Sequence, residues 1–140
     1  RGARNALDRN LSNVAFLRTR IEQITLFFAP QEVSEIWITF PDPFLKSSKT
    51  NRRLTAERFL TAYKQLLKKD GLVHLKTDSE ELYEFSLESI AAFPGAQMCY
   101  HNDDIYAGPL ILPELDIKTY YERMHLAEGK KIKYIQWQLP

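Results

Sequence analysis

Asp42 stands between Pro41 and Pro43, directly after the run Ile36-Trp37-Ile38-Thr39-Phe40. Pro41 fixes its own φ, and Pro43 biases Asp42 toward an extended backbone, so the carboxylate sits on a chain with little freedom. Such restraint suits a catalytic or binding group. The alternative is an Asp that merely starts a turn between prolines. Immediately downstream, Lys46-Ser47-Ser48-Lys49-Thr50-Asn51-Arg52-Arg53 packs four cations among hydroxyl and amide groups. Cations neutralise phosphates with release of counterions, and Ser, Thr and Asn add hydrogen bonds that fix register without reading sequence. A solvated, flexible loop is the other reading, and adjacency to Asp42 favours the phosphate one.

A second carboxylate follows in Lys76-Thr77-Asp78, at the end of the next apolar run. Open α/β sheets bind ligands outside the carboxyl ends of their strands, so acids on adjacent strand ends can converge on one crevice. Alternatively, Asp78 and Ser79 only cap the next helix. Thr119 and Glu122, in Thr119-Tyr120-Tyr121-Glu122, are three apart and share one face of a helix.

The elements that must hold these groups alternate, which predicts an α/β fold on a mostly parallel sheet. Ala3 to Leu11 reads as a helix, Val14 to Leu17 as a short buried strand, and Ile36 to Phe40 as a strand stopped by Pro41. Thr55 is placed to cap a helix carrying Phe59, Leu60, Tyr63, Leu66 and Leu67, ended by the Asp70-Gly71 turn. Leu72 to Lys76 is a third strand. Ser79 suits the N-cap of a helix with Leu82, Phe85, Leu87 and Ile90, closing near Pro94-Gly95. Gln97 to Tyr100 reads as a strand, Asn102 to Glu114 as a surface loop, Asp116 to Ala127 as a helix and Lys131 to Gln138 as a final strand. The five glycines are isolated, so the glycine-rich turn on which such sheets usually cradle a nucleotide-type cofactor is not among these residues. Either the fold never needed that turn, or the chain begins part-way through a cofactor-binding domain.

With 140 residues, 44% hydrophobic, the chain can bury an ordinary core and is expected to form one domain, residues 1–140. A lone cysteine, Cys99, precludes an internal disulfide, and His74, His101 and His125 show no zinc spacing, so no metal is expected. No apolar run reaches the roughly 20 residues of a membrane span, and Arg1 to Asn5 lack a signal-peptide pattern. The expected location is the cytoplasm. A net charge of +1 excludes a globally basic nucleic-acid binder and leaves that case to local clustering. Oligomeric state is left open.

Taken together, Phe40-Pro41-Asp42-Pro43-Phe44-Leu45-Lys46, Arg52-Arg53-Leu54, Lys76-Thr77-Asp78 and Thr119-x-x-Glu122 resemble the bacterial tRNA (guanine-N7)-methyltransferases, from about Ala3 to Gln138. That family has Phe-Pro-Asp-Pro-Trp-Pro-Lys followed by a basic run ending Arg-Arg-Leu. Here Phe44 and Leu45 replace Trp-Pro, Ser48 and Lys49 replace Arg-His, and Asn51 replaces a basic residue. The resemblance implies a Rossmann-like class I methyltransferase sheet, mostly parallel with an antiparallel strand near the C-terminus. The family's N-terminal cofactor-binding strands would precede Arg1, and the isolated chain is expected to be inactive.

The same resemblance implies S-adenosylmethionine as cofactor and guanine N7 in the tRNA variable loop as target. Asp42 would be the catalytic acid beside the methyl donor. Thr19, Arg20 and Glu22 would lie near the adenine of the cofactor, Arg20 close to where the family normally has an Asp. Lys46, Asp78, Thr119, Tyr120, Tyr121 and Glu122 would contact the substrate, while Ser48, Lys49, Thr50, Asn51, Arg52 and Arg53 would face tRNA. Two competing readings are an amino-methyltransferase acting on another nucleic acid and a non-catalytic tRNA-binding homologue. The first needs an Asp- or Asn-Pro-Pro-aromatic motif, whereas a single Pro43 precedes Phe44.

Overall fold

A computed structural model describes residues 2–140. The helices are α1 (Gly2–Asp8), α2 (Glu57–Leu66), α3 (Glu80–Ala92) and α4 (Tyr120–Ala127), and the strands are β1 (Val33–Thr39), β2 (Leu67–Thr77), β3 (Gln97–Asn102) and β4 (Lys133–Gln138). The strands form a mixed sheet in the order β1-β2-β4-β3. β1 and β2 pair in parallel, and β4 runs antiparallel to both of its neighbours. β1, β2 and β3 therefore share one direction, and the reversed strand is the C-terminal one, as expected.

Alternation along each strand divides the core between the two faces of the sheet. On one face Ile38, Val73, Leu75, Ile135 and Trp137 meet Phe59, Leu60 and Tyr63 of α2 and Leu82 and Ile90 of α3. On the other, Trp37, Phe40 and Tyr134 meet Ile105, Leu115 and Leu126, from the long loop and α4. α2 buries Phe59, Leu60, Tyr63 and Leu66, the stripe its periodicity foretells.

Several expectations need correction. Val14 to Leu17 forms no strand; Val14, Phe16 and Leu17 are all exposed, and no ladder partner lies beside them among the described residues. A strand exists only where its backbone groups are paired. Thr55 does not cap α2: Ala56 occupies the N-cap, while the buried Thr55 hydroxyl bonds Ser86 of α3 at 2.7 Å. Asp70 and Gly71 do not end α2, which stops at Leu66, but lie inside β2, where the register jumps from Val33↔Leu67 to Glu35↔Leu72 and throws residues 68–71 out of the ladder. Asp70 adopts φ +63° at that excursion. The expected Ser79 cap is present, its hydroxyl accepting from Leu82 N–H at 3.1 Å. The last helix begins at Tyr120 rather than Asp116, because Pro113–Asp116 forms its own short 3-10 turn. No helix among the described residues is long and apolar enough to cross a membrane.

Candidate active site

Parallel pairing of β1 and β2 puts their carboxyl ends on one edge, with Thr39 opposite Lys76 and the Phe40 N–H donating to Lys76 O at 2.8 Å. Asp42 and Asp78 each lie just beyond these ends. They share a crevice of about 290 Å³ with Phe40, Pro41, Pro43, Ser79, Tyr121 and His125. The expected convergence of two acids is therefore a property of the fold.

The loop carrying Asp42 is strained on both sides of it. Phe40 has φ +48° and Phe44 φ +44°, a region that non-glycine residues rarely occupy. Each such residue costs about 1–3 kcal/mol and persists only when its surroundings over-determine it. Here the Phe44 N–H donates to Asp42 Oδ1 at 2.9 Å, locking the carboxylate to the loop. The Phe40 ring also stacks on His125, with centroids 5.8 Å apart. Asp42 itself remains exposed.

Asp78 is held differently. Its Oδ2 lies 3.4 Å from His125 Nδ1 and 3.2 Å from Lys130 Nζ. Hydrogen bonds to Asp78 and then Glu128 raise the Lys130 pKa, so its ammonium stays charged against the acid. Neither His125 nor Lys130 stood out in the sequence. The available signal was the position of His125 one turn after Tyr121 on the same helical face.

The Thr119 to Glu122 segment divides. Thr119 and Glu122 form a capping box on α4: Glu122 N–H donates to Thr119 Oγ1 at 3.1 Å, and Thr119 N–H reaches Glu122 Oε2 at 3.4 Å. Glu122 is fully buried, with Lys76 Nζ 2.7 Å from Oε1 and the Tyr106 hydroxyl donating to the same oxygen. Burial, followed by the bond to Glu122, raises the Tyr106 pKa, so the phenol keeps the proton it donates. Glu122 thus faces inward, where Lys76 and Tyr106 satisfy its carboxylate. Tyr120 and Tyr121 are exposed, and only Tyr121 lines the crevice.

The basic loop is a 3-10 stretch, Ser47–Arg52, that leaves Lys46, Ser48, Asn51 and Arg52 exposed and Lys49 and Thr50 half-buried. Arg53 departs from the expectation of an RNA-facing cation: it is 7% exposed and hydrogen-bonded to backbone carbonyls. Thr19, Arg20 and Glu22 are not among the residues lining the Asp42 crevice. Arg20 and Glu22 line a separate hollow of about 520 Å³ with Phe44, Arg52 and Arg58. Glu22 pairs with Arg58 at 3.4 Å, Thr19 donates to Gln23 at 3.1 Å, and the Arg20 side chain is largely exposed.

Known proteins resemble this chain over nearly its whole length. Residues 3–135 match a family described as "Putative methyltransferase". A tRNA (guanine-N(7)-)-methyltransferase of Christiangramia forsetii is 47% identical over 140 residues, covering 99% of this chain and 62% of that protein. One from Bacteroides thetaiotaomicron is 45% identical over 139 residues, covering 99% of this chain and 54% of that protein. A bifunctional glycosyltransferase/methyltransferase of Fusobacterium nucleatum is 36% identical over 135 residues, 20% of its length. The chain thus spans 62% and 54% of the two tRNA-methyltransferase relatives. With the family's match running over nearly its whole length, the chain belongs to this methyltransferase family.

Proposed function

We propose that the protein carrying this chain methylates N7 of a guanine in the variable loop of tRNA, with S-adenosylmethionine as donor. The observation that carries this reading is the pair of carboxylates, Asp42 and Asp78, at adjacent parallel strand ends with Tyr121 on the same crevice. A tRNA substrate would put the reaction in the cytoplasm. The names of the curated relatives support the same substrate and chemistry.

The residues fit a cationic donor. Asp42 is exposed, and its one hydrogen bond among the described residues, to Phe44 N–H, engages Oδ1. Oδ2 is left to face positive charge. When bound, S-adenosylmethionine supplies an electrophilic methyl group, the N7 lone pair forming the new N–C bond as the S–C pair departs with sulfur. No proton moves at N7, so no general base is required. Orientation is the main task, and holding reactants in line can remove about 7–11 kcal/mol of barrier. Asp42 is assigned to the reacting centre, its free oxygen stabilising the positive charge shared between donor and base. Asp78, fixed by His125 and Lys130, is assigned to orient the substrate, with Tyr121 offering a face for stacking. Lys46, Ser48, Lys49, Thr50, Asn51 and Arg52 are assigned to the tRNA backbone. Thr19, Arg20 and Glu22 remain the proposed cofactor-side residues, in the hollow that adjoins the Asp42 loop at Phe44.

The test is nucleoside analysis of tRNA incubated with the intact protein and S-adenosylmethionine. N7-methylguanosine is the expected product. N6-methyladenosine or N4-methylcytidine in its place would move the protein to the amino-methyltransferases, and no product at all would favour a non-catalytic homologue.

A further inference from the structure

Arg53 belongs to a basic run in which Lys46 and Arg52 are exposed and Lys49 half-buried, yet its guanidinium points into the protein. Nε donates to Pro43 O at 2.8 Å and Nη2 to Phe44 O at 3.3 Å. The guanidinium carbon lies 4.7 Å from the centre of the Phe85 ring, on α3. These two carbonyls belong to the residues directly after Asp42. The peptide between them carries the Phe44 N–H that donates to the Asp42 carboxylate. A continuous path therefore runs from α3 through Arg53 to the orientation of Asp42.

The path accounts for the strain in the loop. Phe44 at φ +44° is held in an unfavourable conformation, and such conformations persist where neighbours over-determine them. A planar fork that engages two consecutive carbonyls does this, whereas a lysine ammonium is a compact point charge without that geometry.

We propose that Arg53 is a positioning residue that clamps the Pro43-Phe44 backbone and thereby aims the Asp42 carboxylate, and that it makes no phosphate contact. Its catalytic consequence rests on the reading of Asp42 given above; its effect on loop conformation does not.

The experiment compares Arg53→Lys, Arg53→Ala and Arg52→Ala in the intact protein. It reads amide hydrogen exchange at Phe44, tRNA affinity against salt, and the single-turnover methylation rate at saturating tRNA. That rate is measured with and without guanidinium chloride, against sodium chloride of equal ionic strength. Both Arg53 variants are expected to exchange the Phe44 amide at least about tenfold faster, with a rate lower by about 10²-fold and an unchanged salt slope. Guanidinium should restore part of the rate in Arg53→Ala and none in Arg52→Ala. A normal rate at saturating tRNA, with protected Phe44 and a salt slope reduced by about one unit, would overturn the proposal and make Arg53 a phosphate contact. Should Arg53→Ala not fold, Arg53→Lys decides alone, since it keeps charge and bulk; normal exchange and rate in that variant would overturn the clamp. If the wild-type protein methylates no tRNA, the functional reading fails, and faster Phe44 exchange in Arg53→Lys still upholds the clamp.

Discussion

Lys76 and Glu122 form an ion pair wholly inside the protein, Nζ lying 2.8 Å from Oε2 and 2.7 Å from Oε1, with the two side chains 3% and 0% exposed. Lys76 also donates to Leu115 O at 3.0 Å, so one ammonium ties the end of β2, the long loop and α4 together two residues before Asp78. Removing one partner leaves an uncompensated buried charge, which typically costs about 3–5 kcal/mol. Glu122→Gln and Lys76→Met should each lower stability on that scale in denaturant titrations of the intact protein. The double replacement Lys76→Met with Glu122→Gln should cost less than the sum of the two. Additive losses would show that the pair does not act as a unit.

His74 provides a pH prediction. Its ring is buried, stacked at 4.0 Å on Trp37, with Nδ1 2.7 Å from the Tyr134 hydroxyl. Burial lowers its pKa below the usual 6.5, against the opposing pull of Glu35 and Glu114. The folded state therefore prefers neutral His74, and the stability this contributes is present above pH 6.5 and lost as pH falls toward the depressed folded value. Relative to His74→Gln, wild-type stability should decline below about pH 6.5 by at most about 1.4 kcal/mol per pH unit. A difference between the two proteins that stays flat from pH 7.5 to 5 would remove His74 from the acid response.

Much of this was legible from local pattern. The apolar stripe of α2, the Ser79 cap, the strand stopped by Pro41 and the two acids at strand ends each depend on neighbours close in sequence. What was not legible depends on distant contacts. Arg52 and Arg53 are adjacent and alike in sequence, and only the return of the chain against Phe85 turns one inward. Glu122 is buried because Lys76, 46 residues earlier, meets it there. Val14 to Leu17 has strand composition but no partner beside it among the described residues. His125 and Lys130 reach Asp78 only once α4 has packed over the end of β2.

Arg52 is exposed and should act through phosphate. Arg52→Ala is expected to weaken tRNA binding across sequences and lower the slope of log affinity against log salt by about one unit. Fluorescence titration at four or more salt concentrations measures that slope, and a value equal to wild type would return this residue to solvent.

Lys130 tests how firmly Asp78 must be held. Lys130 is exposed, though Asp78 is half-buried, and solvent screens the pair, so Lys130→Met should reduce kcat/KM by no more than about fivefold, and the deficit should shrink as ionic strength rises. A loss of about 10²-fold or more, insensitive to salt, would mean that Lys130 touches the substrate itself.

The most direct measurement is the single-turnover rate of methyl transfer to tRNA by the intact protein bearing Asp42→Asn, with thermal unfolding measured alongside. Asparagine keeps the size of the side chain and an oxygen for the Phe44 N–H, and removes the charge. The rate should fall by at least about 10²-fold, as when a group stabilising transition-state charge is lost, with the unfolding midpoint almost unchanged. A rate within about threefold of wild type would contradict the assignment of Asp42 as the carboxylate that stabilises charge at the reacting centre.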